Sequence, residues 1–283
     1  MTTSVARALQ DAVALGVDRL DAQLLLAAAI GRTRSWLLAH DEALLTAAQQ
    51  QQFDAHCERR AAGEPVAYLL GSREFHGLAL NVDRNVLVPR PDTETLVDWA
   101  LKLLRTASPR PEVLDLGTGS GAIALAVAHA HPEARVCATD ISSAALGVAR
   151  ANGERLGLAI EWLGGDWWQP LAGRRFDLVL ANPPYIDAGD PHLAALKHEP
   201  RGALTPGADG LAALRTIVAQ AGAHLRSGGW LLLEHGNAQA AAVQGLLRAF
   251  GFGAIATRSD LGGQPRCTGG RWDGGEHRDS GLR

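Results

Sequence analysis

Between Val113 and Asn182 the chain alternates four times between a short apolar run and a helix-forming stretch, and this alternation limits the fold more than any other feature. Val113-Leu-Asp-Leu116, Arg135-Val-Cys-Ala-Thr139, Ile160-Glu-Trp-Leu163 and Phe176-Asp-Leu-Val-Leu-Ala181 read as strands. Repeated βα units predict an α/β fold with a doubly wound, mostly parallel sheet. In such an open sheet the carboxyl ends of the strands share one crevice. Each strand is followed there by a chemically distinctive residue set: Gly117-Thr118-Gly119-Ser120-Gly121, then Asp140, then Asp166-Trp167, then Asn182-Pro183-Pro184-Tyr185. Singly, each has a plain structural reading. Asp140 could cap the helix at Ser142-Ser143, Asp166 could be a turn residue, and Trp167 and Trp168 could be core aromatics. For Trp168 the core reading is preferred. The convergence of all four sets on one crevice favours a ligand site.

The glycines permit a sharp turn and a close backbone approach to a ligand. Their spacing also satisfies G-x-G-x-x-A, so glycines alone leave a dinucleotide site open. Asp115, two residues before the first glycine, argues for a cationic ligand, because its charge would repel a pyrophosphate and attract an ammonium. S-adenosylmethionine carries an ammonium and a sulfonium and no phosphate. Asp140 is placed for ribose hydroxyls, Asp166 for an adenine amino group, and Trp167 for packing against the ring. The two prolines of Asn182–Tyr185 stop the fourth strand in a stiff extended loop. The Asn182 and Pro183 carbonyls and Asn182 Oδ1 form a set of acceptors that can hold both hydrogens of a planar –NH2. Tyr185 adds a flat face for stacking. The plainer alternative is a proline-rich turn with Asn as turn former.

Asp115-Leu-Gly-Thr-Gly-Ser-Gly121 together with Asn182-Pro-Pro-Tyr185 resembles the class I S-adenosylmethionine-dependent methyltransferases that modify exocyclic or amide nitrogens. Pro89-Arg-Pro-Asp-Thr-Glu94, Asn182–Asp187, Asp190-Pro-His192, Glu199-Pro200, Asp209-Gly-Leu211 and Leu233-Glu-His-Gly236 narrow this. They are similar to the protein-glutamine N5-methyltransferases acting on peptide chain release factors, the PrmC/HemK family. The resemblance runs from roughly Ala6 to Trp272. It implies S-adenosyl-L-methionine as cofactor, held by Gly117, Thr118, Gly119, Ser120, Gly121, Asp140, Trp167 and Asn182, to which the reading of the residues adds Asp166. It implies a substrate glutamine held by Asn182, Pro183, Pro184 and Tyr185, with Asn182, Pro183 and Tyr185 serving catalysis. The implied partners are class-1 release factors, whose Gly-Gly-Gln loop supplies the acceptor. The chain's own Gly262-Gly263-Gln264 lies between two expected strands, Ala254–Thr257 and Arg266–Thr268, and reads as a hairpin connection.

Two other functions compete. A nucleic-acid adenine N6-methyltransferase would present a similar planar amine but would need base flipping and a basic tracking surface. The net charge is −3, with Lys+Arg 27 against Asp+Glu 30, and no lysine or arginine cluster is evident, so DNA is disfavoured. A non-catalytic S-adenosylmethionine-binding adaptor would not need the Asn182 loop. Three cysteines without C-x-x-C spacing and ten histidines without metal spacing suggest no metal and no disulfide framework. No signal segment or membrane-length apolar run is evident, so a cytoplasmic, monomeric enzyme is expected.

Residues 1–62 show apolar positions at helical spacing, with Asp18 and Thr33 as expected N-caps, and predict a small helical bundle. It holds no catalytic set, and gripping the partner protein is its expected task. Residues 63–91 are expected to form a hairpin linker, with Asn85–Val88 as its return strand, and residues 92–272 the methyltransferase domain. Glu199 and Asp209 are expected to face solvent or cap helices, in a loop over the site. Residues 273–283 have too little apolar content to pack and are expected to be disordered.

Overall fold

The computed structural model describes residues 3–207 and 209–274, so the end of the expected tail lies outside the described residues. The chain divides into two compact units, one reaching to Arg73 and the other starting at Glu74. The first is helical: α1 Val5–Ala14, α2 Arg19–Ile30, α3 Arg34–Ala39, α4 Ala47–Ala61 and α5 Val66–Leu70. Side-chain caps set the starts of four of these helices, and Ser4 accepts from Arg7 N at the first. Asp18 accepts from Leu20 N, Thr33 accepts from Trp36 N, and Thr46 forms a reciprocal capping box with Gln49. Val5, Leu25, Leu26, Leu37, Phe53 and Leu69 are buried in one apolar cluster, so the helical unit continues past residue 62 through α5.

A two-stranded sheet follows, β1 Ser72–Phe75 and β2 Leu78–Asn81. The hairpin therefore turns at His76-Gly77, and Asn85–Val88 is not its return strand. Gly77 adopts φ +79, which suits that tight turn. The remaining elements are α6 Glu94–Leu104, β3 Glu112–Leu116, α7 Ala122–Ala130, β4 Arg135–Asp140, α8 Ser143–Leu156, β5 Glu161–Gly164, β6 Phe176–Ala181, α9 Ala212–His224, β7 Leu225–Glu234, α10 Ala240–Ala249, β8 Phe252–Ser259 and β9 Pro265–Trp272.

The seven-stranded sheet has the order β5-β4-β3-β6-β7-β9-β8. The strands from β5 to β7 pair in parallel, and β9 pairs antiparallel with both β7 and β8. Apolar layers bury both faces. One contains Leu96, Trp99, Ile123, Leu125 and Leu180, the other Leu114, Phe176, Ile217, Leu231 and Leu247. Burial on both faces is why the strands read as near-continuous apolar runs. Strand order reverses between β3 and β6, and the crevice beyond their carboxyl ends is the place where such sheets bind ligands. Gly262-Gly263-Gln264 forms the β8–β9 turn, with Gln264 N donating to Asp260 Oδ1 at 2.9 Å.

Candidate active site

The loop after β3 is braced from beneath. Asp115 is completely buried; its Oδ2 accepts from Thr118 Oγ1 at 2.6 Å and from Ala124 N at 3.2 Å, while Oδ1 has no protein partner. Burial pushes this carboxyl up to about 7, against those two hydrogen bonds. Asp115 does not line the crevice, so the expected direct attraction of an ammonium by its charge is replaced by support of the loop. Asp140, at the end of β4, joins that loop from the side: its Oδ2 accepts from Gly119 N at 2.9 Å and its Oδ1 from Ser142 N at 2.8 Å. Each oxygen keeps a further lone pair. The helix-capping reading of Asp140 thus passes to its neighbour, because Ser142 supplies the side-chain cap of α8.

These elements line a cavity of about 230 Å³. Its walls include Gly117, Thr118, Gly119, Ser120, Asp140, Asp166, Trp167, Asn182 and Pro184. Trp167, at φ 41, sets its ring against Gly117, where an added Cβ would sit 3.2 Å from the Trp167 Cζ3. Gly117 itself has φ +72, so a glycine is needed there for both backbone and packing. Trp168 is a core residue, stacked on His224 at 4.8 Å. Gly121 is a correction: it stands outside the wall, its α-carbon facing Leu125, Ala149 and Trp162, because it packs the start of α7 against α8 and the sheet.

The donor set suits S-adenosylmethionine. The wall offers the carboxylates Asp140 and Asp166 and the hydroxyls of Thr118 and Ser120. Its one arginine, Arg90, is taken by Glu199 at 2.5 Å. A ligand with hydroxyls and positive charge is served, whereas a phosphate would find no free cation among the described residues of this wall.

A second cavity, of about 340 Å³, adjoins the first and is lined by Pro91, Asp92, Tyr185, Ile186, Leu196 and Leu204 among others. Asn182, Arg90, Leu87 and Ala203 belong to both walls. Asn182 Nδ2 donates to Thr93 Oγ1 at 3.1 Å, which leaves Oδ1 for a ligand. Tyr185 Oη donates to Glu234 Oε1 at 3.2 Å, and its carbonyl accepts from Gln239 Nε2 at 3.1 Å. Burial, then the Glu234 charge, push the Tyr185 phenol well above its ordinary range, so it stays protonated. Pro183 is buried and stands in neither wall.

Glu199 is not solvent-facing. Its side chain is 2 % exposed, with Oε1 on Arg90 and Oε2 accepting from Val88 N at 3.0 Å. It thereby fastens the loop carrying Pro200, Gly202 and Ala203 across the cavity. Asp209 is exposed and accepts from Leu211 N and Arg215. Thr93, Arg90 and Asn152 acquire roles that sequence reasoning missed. Asn152, fully buried on α8, donates to Ser120 O and Asn81 O, each at 3.0 Å, and accepts from Asn81 N at 2.7 Å. No local pattern marks such long-range partners; only the Pro89–Glu94 and Glu199-Pro200 stretches pointed to their neighbourhood. Among the described residues no helix is long and apolar enough to cross a membrane, and no group of three potential metal ligands converges.

Residues 3–71 match the PrmC N-terminal domain family, and residues 94–200 the methyltransferase small domain family. The release factor glutamine methyltransferase of Bordetella pertussis is 49 % identical over 258 residues, covering 90 % of this chain and 95 % of that one. That of Xylella fastidiosa (strain Temecula1) is 50 % identical over 261 residues, covering 91 % and 94 %. A T. thermophilus 16S rRNA N2 G1207 methyltransferase, solved with AdoMet and guanosine, superposes with a TM-score of 0.55 at 23 % identity, covering 71 % of this chain and 49 % of that one, and shares the fold. With near-half identity over almost the whole length, placed on a sheet whose switch-point crevice suits S-adenosylmethionine, this chain belongs to the release factor glutamine methyltransferase family.

Proposed function

We propose that this enzyme methylates the side-chain amide nitrogen of the glutamine in the Gly-Gly-Gln loop of class-1 peptide chain release factors. The observation that carries the reading is the position of Asn182 in the shared wall of two adjoining cavities, with its Oδ1 unspent. S-adenosylmethionine supplies a methyl group bonded to a sulfonium. An amide nitrogen is a weak nucleophile because its lone pair is delocalised into the carbonyl. Asn182 Oδ1 accepts one N–H of the glutamine, whereas the Pro183 carbonyl, expected to take the other, belongs to a buried residue that lines neither cavity. An acceptor on the N–H bond stabilises the positive charge that grows on nitrogen as its lone pair forms the N–C bond. It also helps to hold the nitrogen in line for displacement. The nitrogen then loses a proton to solvent. Tyr185, immobilised by Glu234, offers its face to the amide plane. Gly117–Ser120, Asp140, Asp166 and Trp167 form the cofactor side.

These contacts cannot tell one protein's glutamine from another's, so recognition needs a second surface, and the N-terminal helical unit is assigned that task. The enzyme is taken to act as a cytoplasmic monomer without a nucleic-acid partner. Incubating enzyme, cofactor and a full-length release factor, then mapping peptides by mass spectrometry, tests the reading. One added methyl on the Gly-Gly-Gln peptide is expected. Methylation of adenine in DNA, with the release factor untouched, would overturn it. A truncation lacking residues 1–71, which removes the whole helical unit through α5, checked for folding by circular dichroism, should bind the cofactor normally and methylate the release factor poorly.

A further inference from the structure

The chain carries the acceptor tripeptide of its proposed substrate, Gly262-Gly263-Gln264, and the fold sets it on the active face. β9 runs antiparallel to β7, and Cys267 pairs with Glu234, the last residue of β7. Leu233, one residue earlier, pairs with Ala181, which directly precedes Asn182. Residues before Cys267 therefore project past the carboxyl ends of the parallel strands, on the side of the crevice. Arg266 joins the two: its Nη2 meets Asp92 Oδ2 at 3.2 Å, and Asp92 lines the second cavity. The β8–β9 turn thus stands near the rim of the cavity assigned to the acceptor. Leu261, Gly262, Gly263 and Gln264 are all exposed there.

The turn is held by its backbone and by Asp260, and the Gln264 side chain takes no part in it. Gln264 N donates to Asp260 Oδ1 and Gln264 O accepts from Asp260 N, both at 2.9 Å, while Gly263 N donates to Asp260 O at 3.0 Å. Asp260 Oδ2 also accepts from Arg266 Nε and Nη2, at 3.2 and 3.1 Å. Among the described residues the Gln264 side-chain amide has no hydrogen-bond partner. The two residues before it have no side chain to obstruct its entry into a cavity. The tip therefore presents a free primary amide on a firm, protruding support.

We propose that Gln264 is a methylation site of the enzyme itself, modified by a second copy of the chain. This rests on the acceptor reading above, whose contacts do not separate one exposed Gly-Gly-Gln amide from another. The Gln264 Nε2 lone pair forms the N–C bond as the C–S bond of the sulfonium breaks. The electron pair of that bond stays on sulfur, which leaves as the neutral thioether S-adenosylhomocysteine, and one Nε2 proton passes to solvent. Transfer within one copy is opposed by the turn. Gln264 lines neither cavity of its own chain, and the bonds to Asp260 and the Arg266–Asp92 contact hold it there. A second copy can receive the same tip with those bonds intact. Because tip and cavity lie on one face, a two-fold encounter brings each tip to the other's cavity. The release factor competes for that cavity, so self-methylation is the reaction of enzyme short of its substrate.

The test mixes two full-length variants with S-adenosylmethionine and no release factor, and reads the products by peptide mass mapping. Asn182→Ala keeps Gln264 but lacks the acceptor oxygen; Gln264→Ala keeps the transfer machinery but lacks the acceptor. Circular dichroism checks both folds. One added methyl on the Gln264 peptide of the Asn182→Ala chain is expected in the mixture, and about 10²-fold less of it with that variant alone. The transfer should run about 10²-fold slower than methylation of a full-length release factor, because the contacts that orient the factor are missing. Wild-type enzyme alone gives a second measure: the fractional rate at Gln264 should rise in proportion to protein concentration and fall when release factor is added. Gln264→Ala should methylate the release factor at the wild-type rate. An unmodified Gln264, with the release factor methylated normally, would refute the proposal and leave the acceptor reading standing. Methylation of wild-type Gln264 at a fractional rate independent of concentration, with the Asn182→Ala chain unmodified in the mixture, would refute transfer between copies. If neither Gln264 nor the release factor gains a methyl, the acceptor reading has failed and self-methylation falls with it.

Discussion

Asn152 offers the sharpest test of how the cofactor loop is held. It lies on α8, fully buried, and ties two separate segments together. Its Nδ2 spends one hydrogen on Ser120 O within the glycine loop and the other on Asn81 O at the end of β2, while Oδ1 accepts from Asn81 N. Asn152→Ala removes these three bonds and a longer one, 3.5 Å, that Arg155 Nη2 donates to Oδ1. Two neutral hydrogen bonds are worth about 0.5–1.5 kcal/mol each, and a buried N–H left without an acceptor costs about 1–3 kcal/mol. Asn81 is exposed at its side chain, so water can partly replace its share, and the expected loss is about 2–4 kcal/mol. Asn152→Asp keeps the shape but turns the donor end into an oxygen facing two carbonyl oxygens. It should therefore be at least as damaging as alanine, although it is the more conservative change. Urea unfolding of the three proteins at one pH, with slopes compared, reads stability. Calorimetric titration with S-adenosylmethionine reads whether the loop still meets its ligand, and affinity should fall several-fold as Ser120 loosens. If Asn152→Asp were as stable as the wild type, donation to Ser120 and Asn81 would not be what holds the loop, and the reasoning would fail.

Asp140→Ala should weaken cofactor binding by roughly 1.5–3 kcal/mol, through lost ligand contacts and loss of the Gly119 and Ser142 tethers, while Asn182→Ala should instead slow methyl transfer by about 10²–10³-fold; calorimetry and single-turnover rates separate the two. Glu199→Gln should weaken both cofactor and acceptor binding by only about 1 kcal/mol, because Arg90 is 37 % exposed and water can stand in for the lost charge; paired titration and KM measurements check it. Asp115 and Glu234 both ionise at about 7 in the folded chain, above their ordinary values of 3.8 and 4.5. The folded state thus binds more protons than the unfolded one across that interval, so their contribution to stability is full below the ordinary values and is lost as pH rises to about 7. Asp115→Asn should flatten this part of the stability curve, and a slope unchanged in denaturation at a series of pH values would refute it.

The parts of the molecule that could be read from the chain are those whose cause is local. Strand periodicity, the glycines that must turn at φ above zero, and the prolines that must stop β6 act within a few residues, and each left its mark in order along the sequence. The N-caps Asp18 and Thr33 belong to the same class. The hairpin did not, because Asn85–Val88 has the composition of a strand yet spends its backbone on the cavity wall and on Glu199, 111 residues away from Val88. Gly121 failed for a similar reason: its position in the glycine loop suggested a ligand, but the space at its α-carbon is filled by Leu125 and Trp162. Asp115 was read as a charge aimed at the ligand, and only burial shows it aimed at Thr118 and Ala124. Most of the residues that line the two cavities were thus legible, whereas those that brace them from behind were not. Asn182 illustrates the division. Its type and its prolines announce an acceptor, but an asparagine has two ends, and its Nδ2 is turned to Thr93 Oγ1, 89 residues earlier, which leaves Oδ1 toward the crevice. A side chain with a donor end and an acceptor end is oriented by the partner that the fold brings to one of them, and that partner can lie far away along the chain.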